Sequence, residues 1–190
     1  MREGKKYKTC FLDRDGVLIK QVNYLSSPEQ VFISNTSLKA LKTLRDNGYL
    51  IIVVTNQGGV ARGYYSEESI SVIHKEIERQ LNEHDLHIDH YYYCPHYPDG
   101  SVEKYVTECD CRKPMPGMIL QAVKDFDIDL SRSFLVGDKV SDLLAAKNAG
   151  CSSILVETGH GLEHTAEALS RGYSVCSNLE QAVLHFLSKA

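Results

Sequence analysis

The sequence contains no long apolar run and no leader-like segment. No stretch approaches the roughly 18 consecutive apolar residues that identify a membrane-spanning helix. Residues 1–9 (MREGKKYKT) carry positive charge, but the charged DRD at 13–15 interrupts the apolar region that would follow them in a signal peptide. We therefore expect a cytoplasmic protein that has no membrane partner.

An excess of positive charge is also missing. The chain has 21 Lys and Arg against 25 Asp and Glu, a net charge of -4 and a pI near 6.1. Nucleic acids are bound mainly by clustered Lys and Arg, whereas the basic residues of this chain are scattered. We therefore expect no nucleic acid partner.

The composition is otherwise that of an ordinary globular protein. Apolar residues make up 43% of the chain and charged residues 24%, which is enough apolar material for a core that folds alone. Nothing in the sequence suggests a second independent unit. We expect one domain over residues 1–190.

The six cysteines divide into two groups. Without a secretion signal the chain is expected in a reducing compartment, where disulfides are rare. Cys10, Cys151 and Cys176 lie in or beside apolar stretches and are expected to be small buried residues. The other three fall close together, near His96, and are considered separately below.

Short apolar runs alternate with helix-like stretches throughout the chain, which is typical of an α/β protein. Strands are expected at 9–12, 49–54, 90–93, 133–136, 153–156 and near 174. Helices are expected at about 37–47, 66–84, 116–126, 143–148, after 156 and at 181–187. We predict a Rossmann-like three-layer α/β/α sandwich with a mostly parallel sheet. The polar clusters follow strand ends, so they should converge on one crevice at the carboxyl edge of the sheet.

The segment FLDRDG at 11–16 places two aspartates directly after the first strand. Alone, such a pair is most simply a solvated charged turn. It is accompanied by Thr55 at the end of another strand, Lys113 before a helix, and the acidic segment GDKVSD at 137–142. This combination favours phosphoryl transfer, which needs a nucleophile, neutralised phosphate oxygens and a proton for the leaving group.

Each residue type has a role in that chemistry. Asp13 is the expected nucleophile and would form an aspartyl phosphate. Asp15 would protonate the leaving oxygen and later deprotonate water, while Thr55 and Lys113 would stabilise the phosphate. A Mg²⁺ ion would be held by oxygens of Asp13 and Asp138 and by the backbone carbonyl of Asp15.

The order of these motifs, DxDG, then Thr after a strand, then Lys, then GDxxxD, resembles the haloacid dehalogenase (HAD) superfamily over nearly the whole chain. The resemblance implies the HAD-like fold and an Asp-based, Mg²⁺-dependent hydrolase. Val17 departs from the pattern, since Thr is frequent at that position in the superfamily.

A second motif lies between the third strand and the helix that follows it. Cys94, His96, Cys109 and Cys111 match the Cys₃His set of a closed structural zinc site. Free buried thiols and a redox pair are the alternatives, as is a small zinc module that binds nucleic acid. A loop of about twenty residues that is rich in Tyr, Pro and charge cannot order itself by apolar burial, so a metal would give it a physical reason to be rigid. Zinc there would hold the next residues, Arg112 and Lys113, against the substrate.

Four longer segments narrow the resemblance to the D-glycero-D-manno-heptose-1,7-bisphosphate 7-phosphatases: FLDRDG, VVTNQGGVARG at 53–63, YYYCPH at 91–96 and CDCRKPMPGM at 109–118. These phosphatases make a precursor of the heptoses in bacterial surface polysaccharides such as lipopolysaccharide. The resemblance implies a monomer without a large cap domain, in which three short loops shape the pocket. It assigns substrate binding to Arg14, Gln21, Val22, Asn23, Tyr24, Asn56, Gln57, Gly58, Arg112 and Lys139.

Other assignments stay open at this point. Histidinol-phosphate phosphatases share the motifs and a similar zinc loop, and a binding protein that lost catalysis is a further alternative. Arg62 is either an anion contact or a surface charge, and a solvated loop is the alternative for Val22. His160 and His164 are expected on a solvated surface, and one or two of the tyrosines at 91–93 are expected in the core.

Overall fold

The computed structural model describes residues 6–189. Six strands form one sheet, in the order β3-β2-β1-β4-β5-β6, and every neighbouring pair is parallel. The strands are β1 (Thr9–Leu12), β2 (Leu50–Asn56), β3 (His90–Cys94), β4 (Phe134–Gly137), β5 (Ser152–Val156) and β6 (Ser174–Cys176). The strand order reverses between β1 and β4, and such a switch point is where open parallel sheets bind ligands.

Six α-helices cover the two faces of the sheet. They are α1 (Asn35–Asp46), α2 (Glu67–Asn82), α3 (Gly117–Phe126), α4 (Val140–Ala149), α5 (Gly161–Ser170) and α6 (Leu179–Leu187). Helices α1, α2 and α6 share one apolar cluster with the sheet, and α3 and α4 share another. The predicted three-layer α/β/α arrangement is therefore confirmed, with a sheet that is parallel throughout the described residues.

The alternation of side chains along β1 explains the two cores. Cys10 and Leu12 belong to the cluster beneath α1, α2 and α6, whereas Phe11 between them belongs to the cluster beneath α3 and α4. Successive residues of a strand point to opposite faces, so a fully buried strand reads as a continuous apolar run. All four residues of β1 are 0% exposed.

Two helices begin earlier in the chain than expected, because polar side chains cap their N-termini. Helix α1 begins at Asn35 rather than near 37, since the Ser34 hydroxyl accepts a hydrogen bond from the Ser37 amide at 3.1 Å. Helix α4 begins at Val140 rather than 143, since Asp142 accepts from the Lys139 amide at 2.9 Å. No helix within residues 6–189 has the length and apolar character of a membrane span.

The cysteine and tyrosine expectations are met to different degrees. Cys10 and Cys151 are buried as expected, whereas Cys176 is only partly buried. The three tyrosines of β3 are all partly buried, because β3 is an edge strand. Their hydroxyls reach carboxylates on the covering helices: Glu78, Asp125 and Glu67.

Candidate active site

The carboxyl ends of β1, β2 and β4 surround a cavity of ≈ 570 Å³. The predicted catalytic residues Asp13, Asp15, Thr55 and Lys113 all line it. So do the ten residues to which the sequence assigned substrate binding: Arg14, Gln21, Val22, Asn23, Tyr24, Asn56, Gln57, Gly58, Arg112 and Lys139. The sheet therefore brings together loops that are more than a hundred residues apart in the chain.

Lys113 lies between two buried carboxylates. Its Nζ is 2.8 Å from Asp13 Oδ1 and 2.6 Å from Asp142 Oδ1, and it donates to the Val54 carbonyl at 2.7 Å. Burial alone would lower the pKa of this amine, but the Coulombic attraction of Asp13 and Asp142 raises it above its usual value. Lys113 is therefore a fixed positive charge beside the expected nucleophile.

Asp15 is held by the side chains of Arg14 and Gln57, which also line the cavity. Arg14 lies 2.9 Å from Asp15 Oδ2 through Nη2, and Gln57 Nε2 donates to the same oxygen at 2.9 Å. Arg14 is only 1% exposed, and its guanidinium also contacts Gln57 and His74. These contacts orient Asp15; direct contact between Arg14 and a substrate stays a prediction.

The Gln57 amide is saturated by protein groups. Its Oε1 accepts from Arg14 at 3.1 Å and from Tyr65 at 2.7 Å, and its Nε2 donates to Asp15 and to Thr55 Oγ1, both at 2.9 Å. A Gln amide has two donor hydrogens and two acceptor lone pairs, so all four are used. Because Thr55 accepts from Gln57, its own hydroxyl proton remains free to donate into the cavity.

Asp138, the predicted metal ligand after β4, is not among the lining residues of the cavity but lies beside Asp13, which is. It is 0% exposed; Oδ2 accepts from the His160 amide at 2.8 Å, and Oδ1 has no partner among the described residues. Burial, with a smaller contribution from Asp13, raises its pKa to about 7. Asp13, Asp138 and Asp142 offer oxygens within 4.8 Å of one another. An unpartnered buried oxygen in an all-oxygen acidic cluster fits a hard divalent cation.

Gly16 allows the backbone to approach Asp138 closely. Its φ of 87° lies in the left-handed region, and an added Cβ would be 2.6 Å from Asp138 Oδ2 and 2.8 Å from Gly159 Cα. A side chain at this position would therefore strain the backbone and would also clash with the Asp138 carboxylate.

Two guanidinium groups lie over one aromatic ring at the side of the cavity. Arg62 and Arg112 lie 4.0 Å and 4.7 Å from the centre of the Tyr97 ring. Arg112 donates to the His96 carbonyl at 3.1 Å, and Arg62 donates to the Tyr24 hydroxyl at 3.1 Å. This part of the wall is thus a cationic surface built from three separate loops.

The four predicted zinc ligands form a compact cluster. The Cys111 sulfur is 3.1 Å from that of Cys94 and 3.2 Å from that of Cys109, and His96 Nδ1 is 3.5 Å from the Cys111 sulfur. Tetrahedral zinc with ordinary bond lengths places its sulfur ligands about 3.8 Å apart and sulfur and nitrogen about 3.6 Å apart. The four candidate ligand atoms lie within 4.8 Å of one another, so this Cys₃His set fits a tetrahedral zinc ion once the sulfur atoms move apart by up to about 0.7 Å.

Several residues at the site have positions that motif reasoning did not assign. Asp142 pairs with Lys113, and Tyr65 and Tyr97 line the cavity. The GDxxxD spacing could have identified Asp142, because it is the second acidic residue of that motif. His160 also lines the cavity, with a side chain 33% exposed rather than fully solvated.

Comparisons with known proteins agree with this geometry. A family model described as HAD-hydrolase-like matches residues 110–182. A D-glycero-alpha-D-manno-heptose-1,7-bisphosphate 7-phosphatase of Photorhabdus laumondii is 47% identical over 166 residues, covering 87% of this chain and 91% of that protein. A D-glycero-beta-D-manno-heptose-1,7-bisphosphate 7-phosphatase of Haemophilus ducreyi is 44% identical, covering 93% and 96%.

A solved structure is similar over nearly the whole chain. The D,D-heptose 1,7-bisphosphate phosphatase of B. bronchiseptica, crystallised with magnesium and phosphate, superposes with a TM-score of 0.84 at 34% identity. The match covers 96% of this chain and 99% of that one.

Proposed function

Because the chain belongs to the D-glycero-D-manno-heptose-1,7-bisphosphate 7-phosphatases of the HAD-like hydrolases, we propose that it hydrolyses the C7 phosphate of this sugar bisphosphate and leaves the heptose 1-phosphate. It acts as a single-domain, monomeric, cytoplasmic enzyme in the supply of activated heptose.

The observation that carries the proposal is the placement of Asp13 at the switch point, beside Lys113 and within the acidic cluster. Asp13 is only 7% exposed and lines the cavity. Lys113 at 2.8 Å supplies the positive charge that a phosphate needs there. A solvated turn would have neither the burial nor the fixed cation.

The first half of the reaction forms a covalent intermediate. A carboxylate oxygen of Asp13 attacks phosphorus, and the bond from phosphorus to the C7 oxygen breaks. Asp15 gives its proton to that departing oxygen, so the sugar leaves as an alcohol. Thr55 and Lys113 donate to the phosphoryl oxygens throughout the step.

The second half regenerates the enzyme. Asp15, now ionised, takes a proton from water as the water attacks phosphorus, and the bond from phosphorus to Asp13 breaks. Inorganic phosphate then leaves. Mg²⁺ would be held by oxygens of Asp13 and Asp138 and by the Asp15 carbonyl, and it would supply charge neutralisation between the nucleophile and the phosphate.

The remaining lining residues select the sugar. Arg112, stacked on Tyr97, would contact the second phosphate, and the segment 21–24 and Gly58 would contact sugar hydroxyls. Asn56 and Gln57, whose amides are satisfied by protein groups, would act by holding Lys113 and Asp15. A structural zinc ion on Cys94, His96, Cys109 and Cys111 would fix the loop that carries Arg112 and Lys113. Two phosphates and a polyhydroxyl chain suit a polar, cationic cavity of this kind.

The test is phosphate release with Mg²⁺ from the α and β anomers of the heptose 1,7-bisphosphate, beside histidinol phosphate and a generic sugar monophosphate. We expect one heptose anomer to be preferred in kcat/KM by at least about a hundredfold. The named relatives include both anomer types, so the assay also identifies the anomer. Equal rates on all four compounds, or a preference for histidinol phosphate, would refute the substrate assignment.

A further inference from the structure

The guanidinium of Arg14 makes hydrogen bonds on two sides. One side faces the active site, where Nε and Nη2 contact Asp15 and Nη2 contacts Gln57. The opposite side faces α2, where Nη1 is 3.4 Å from Nε2 of His74. His74 belongs to no motif of the sequence. Within the described residues, it is the hydrogen-bond partner of the Arg14 Nη1 group.

The direction of this contact defines the state of the imidazole. A guanidinium carries only donors, so His74 Nε2 must be the acceptor and must lack a proton. Burial, together with the neighbouring charge of Arg14, lowers the pKa of His74 to about 3. The ring is therefore neutral and can accept the Arg14 hydrogen bond over the ordinary pH range.

The imidazole is itself held in place by β3. It stacks on the Tyr91 ring, with centroids 4.2 Å apart and planes inclined by 21°. The Tyr91 hydroxyl donates to Glu78 Oε1 at 2.7 Å, which connects the stack back to α2. The acceptor behind Arg14 is thus fixed by packing from a strand and a helix.

We propose that His74 is a positioning residue that acts through Arg14 to hold the Asp15 carboxylate toward the leaving oxygen of the substrate. Arg14 has several N–H groups, and without an acceptor on the α2 side its plane can rotate. A rotated guanidinium carries Asp15 with it, since Nε and Nη2 contact both of its oxygens. This inference rests on the proposed role of Asp15 as general acid and base. It does not depend on which sugar the enzyme binds.

The test compares His74→Leu, which removes the acceptor, with His74→Gln, which retains one. The matched control is His84→Leu, since His84 is exposed just after α2. Each variant is assayed with an alkyl sugar phosphate and with 4-nitrophenyl phosphate, whose acidic leaving group needs little protonation. The kcat/KM value reports the steps up to departure of the leaving group.

We expect His74→Leu to lower kcat/KM for the alkyl phosphate about tenfold and for the aryl phosphate at most about twofold. His74→Gln should keep at least about half of the wild-type value, and His84→Leu should match wild type. Equal losses on both substrates, or no loss in a folded His74→Leu protein, would overturn the inference. Failure on heptose bisphosphate alone would count against the proposed substrate, since the alkyl and aryl comparison does not require that sugar.

Discussion

Asn56 holds the main chain of Lys113 with both atoms of its amide. Its Oδ1 accepts from the Lys113 amide at 2.9 Å, and its Nδ2 donates to the Lys113 carbonyl at 3.0 Å. Asn56 ends β2 and Lys113 follows the cysteine loop, so this pair joins the loop to the sheet. The sequence assigned Asn56 to substrate binding, but both of its amide atoms contact the protein.

Replacing Asn56 by Ala should therefore act on turnover more than on substrate affinity. Without the clamp, the Lys113 main chain shifts, and a displacement of about 1 Å costs on the order of a hundredfold in rate. We expect kcat to fall between about tenfold and a hundredfold with KM changed less than about threefold. Steady-state kinetics on a phosphate ester checks this. A rise in KM with an unchanged kcat would instead identify Asn56 as a substrate contact.

Asp13→Asn should abolish turnover while leaving the fold intact. The amide is a poor nucleophile, so we expect kcat to fall by about a thousandfold or more. Lys113 keeps its contact with Asp142, which is why the variant should still fold. Circular dichroism and phosphate release measure the two properties, with Asp46→Asn on the exposed face of α1 as the control. A folded Asp13→Asn protein with substantial activity would exclude Asp13 as the nucleophile.

Removal of the cysteine cluster should impair the active site through the adjacent residues. Cys109→Ser is expected to lose bound zinc and to lower kcat/KM at least about tenfold, as Arg112 and Lys113 lose their fixed positions. Cys176→Ser, outside the cluster, is the matched control. Elemental analysis and kinetics are the measurements. Purified, unchelated wild-type protein without zinc would contradict the assignment of the metal.

Gly16→Ala should destabilise the protein more than Gly48→Ala. Both glycines have positive φ, 87° and 72°, so both substitutions introduce backbone strain of about 1–2 kcal/mol. Only at Gly16 does the new Cβ also meet Asp138, since nothing lies within 4 Å of a Cβ at Gly48. Urea denaturation should show the larger loss for Gly16→Ala. Equal losses would mean that the loop moves aside without cost.

His74 should make stability fall as the pH is lowered. Its pKa is about 3 in the folded protein and about 6.5 in the unfolded chain. Below pH 6.5 the unfolded chain binds the proton and the folded one does not, so the free energy of unfolding falls by at most about 1.4 kcal/mol per pH unit. That fall continues until the folded pKa is reached.

His74→Gln lacks this titration and should lose stability less steeply between pH 6.5 and 4. Denaturant midpoints of both proteins across that range provide the comparison, and the wild type at neutral pH gives the reference. Parallel curves for the two proteins would show that folding does not lower the pKa of the imidazole, so that the ring takes up its proton at the same pH in both states.

The fold and the main motifs could be predicted because their signals are local. The buried strands read as apolar runs, and Asp13, Thr55, Lys113 and Asp138 follow strand or helix boundaries that the pattern identifies. The topology then brings them to one edge without further information. The cysteine spacing predicted the ligand cluster for the same reason.

The contacts between elements could not be predicted in this way. The apolar face of α2 was evident from Ile70, Ile73 and Ile77, but the sequence does not say that β3 packs beside it and turns His74 toward Arg14. Similarly, the family resemblance assigned Gln57 and Asn56 to substrate binding. Only the packed structure shows that their amides are satisfied by protein groups.

The strand order also determines when the phosphatase can become active. Asp13 follows the first strand, whereas Asp138 follows the fourth, about 125 residues later, and the two strands are direct neighbours. Contacts between such distant parts of a chain form late, since a long loop must close first. In a nascent or partly unfolded chain, Asp13, the proposed nucleophile, therefore lacks its acidic neighbours. Turnover therefore requires that β1 and β4 have paired, because only that pairing brings Asp13 beside Asp138.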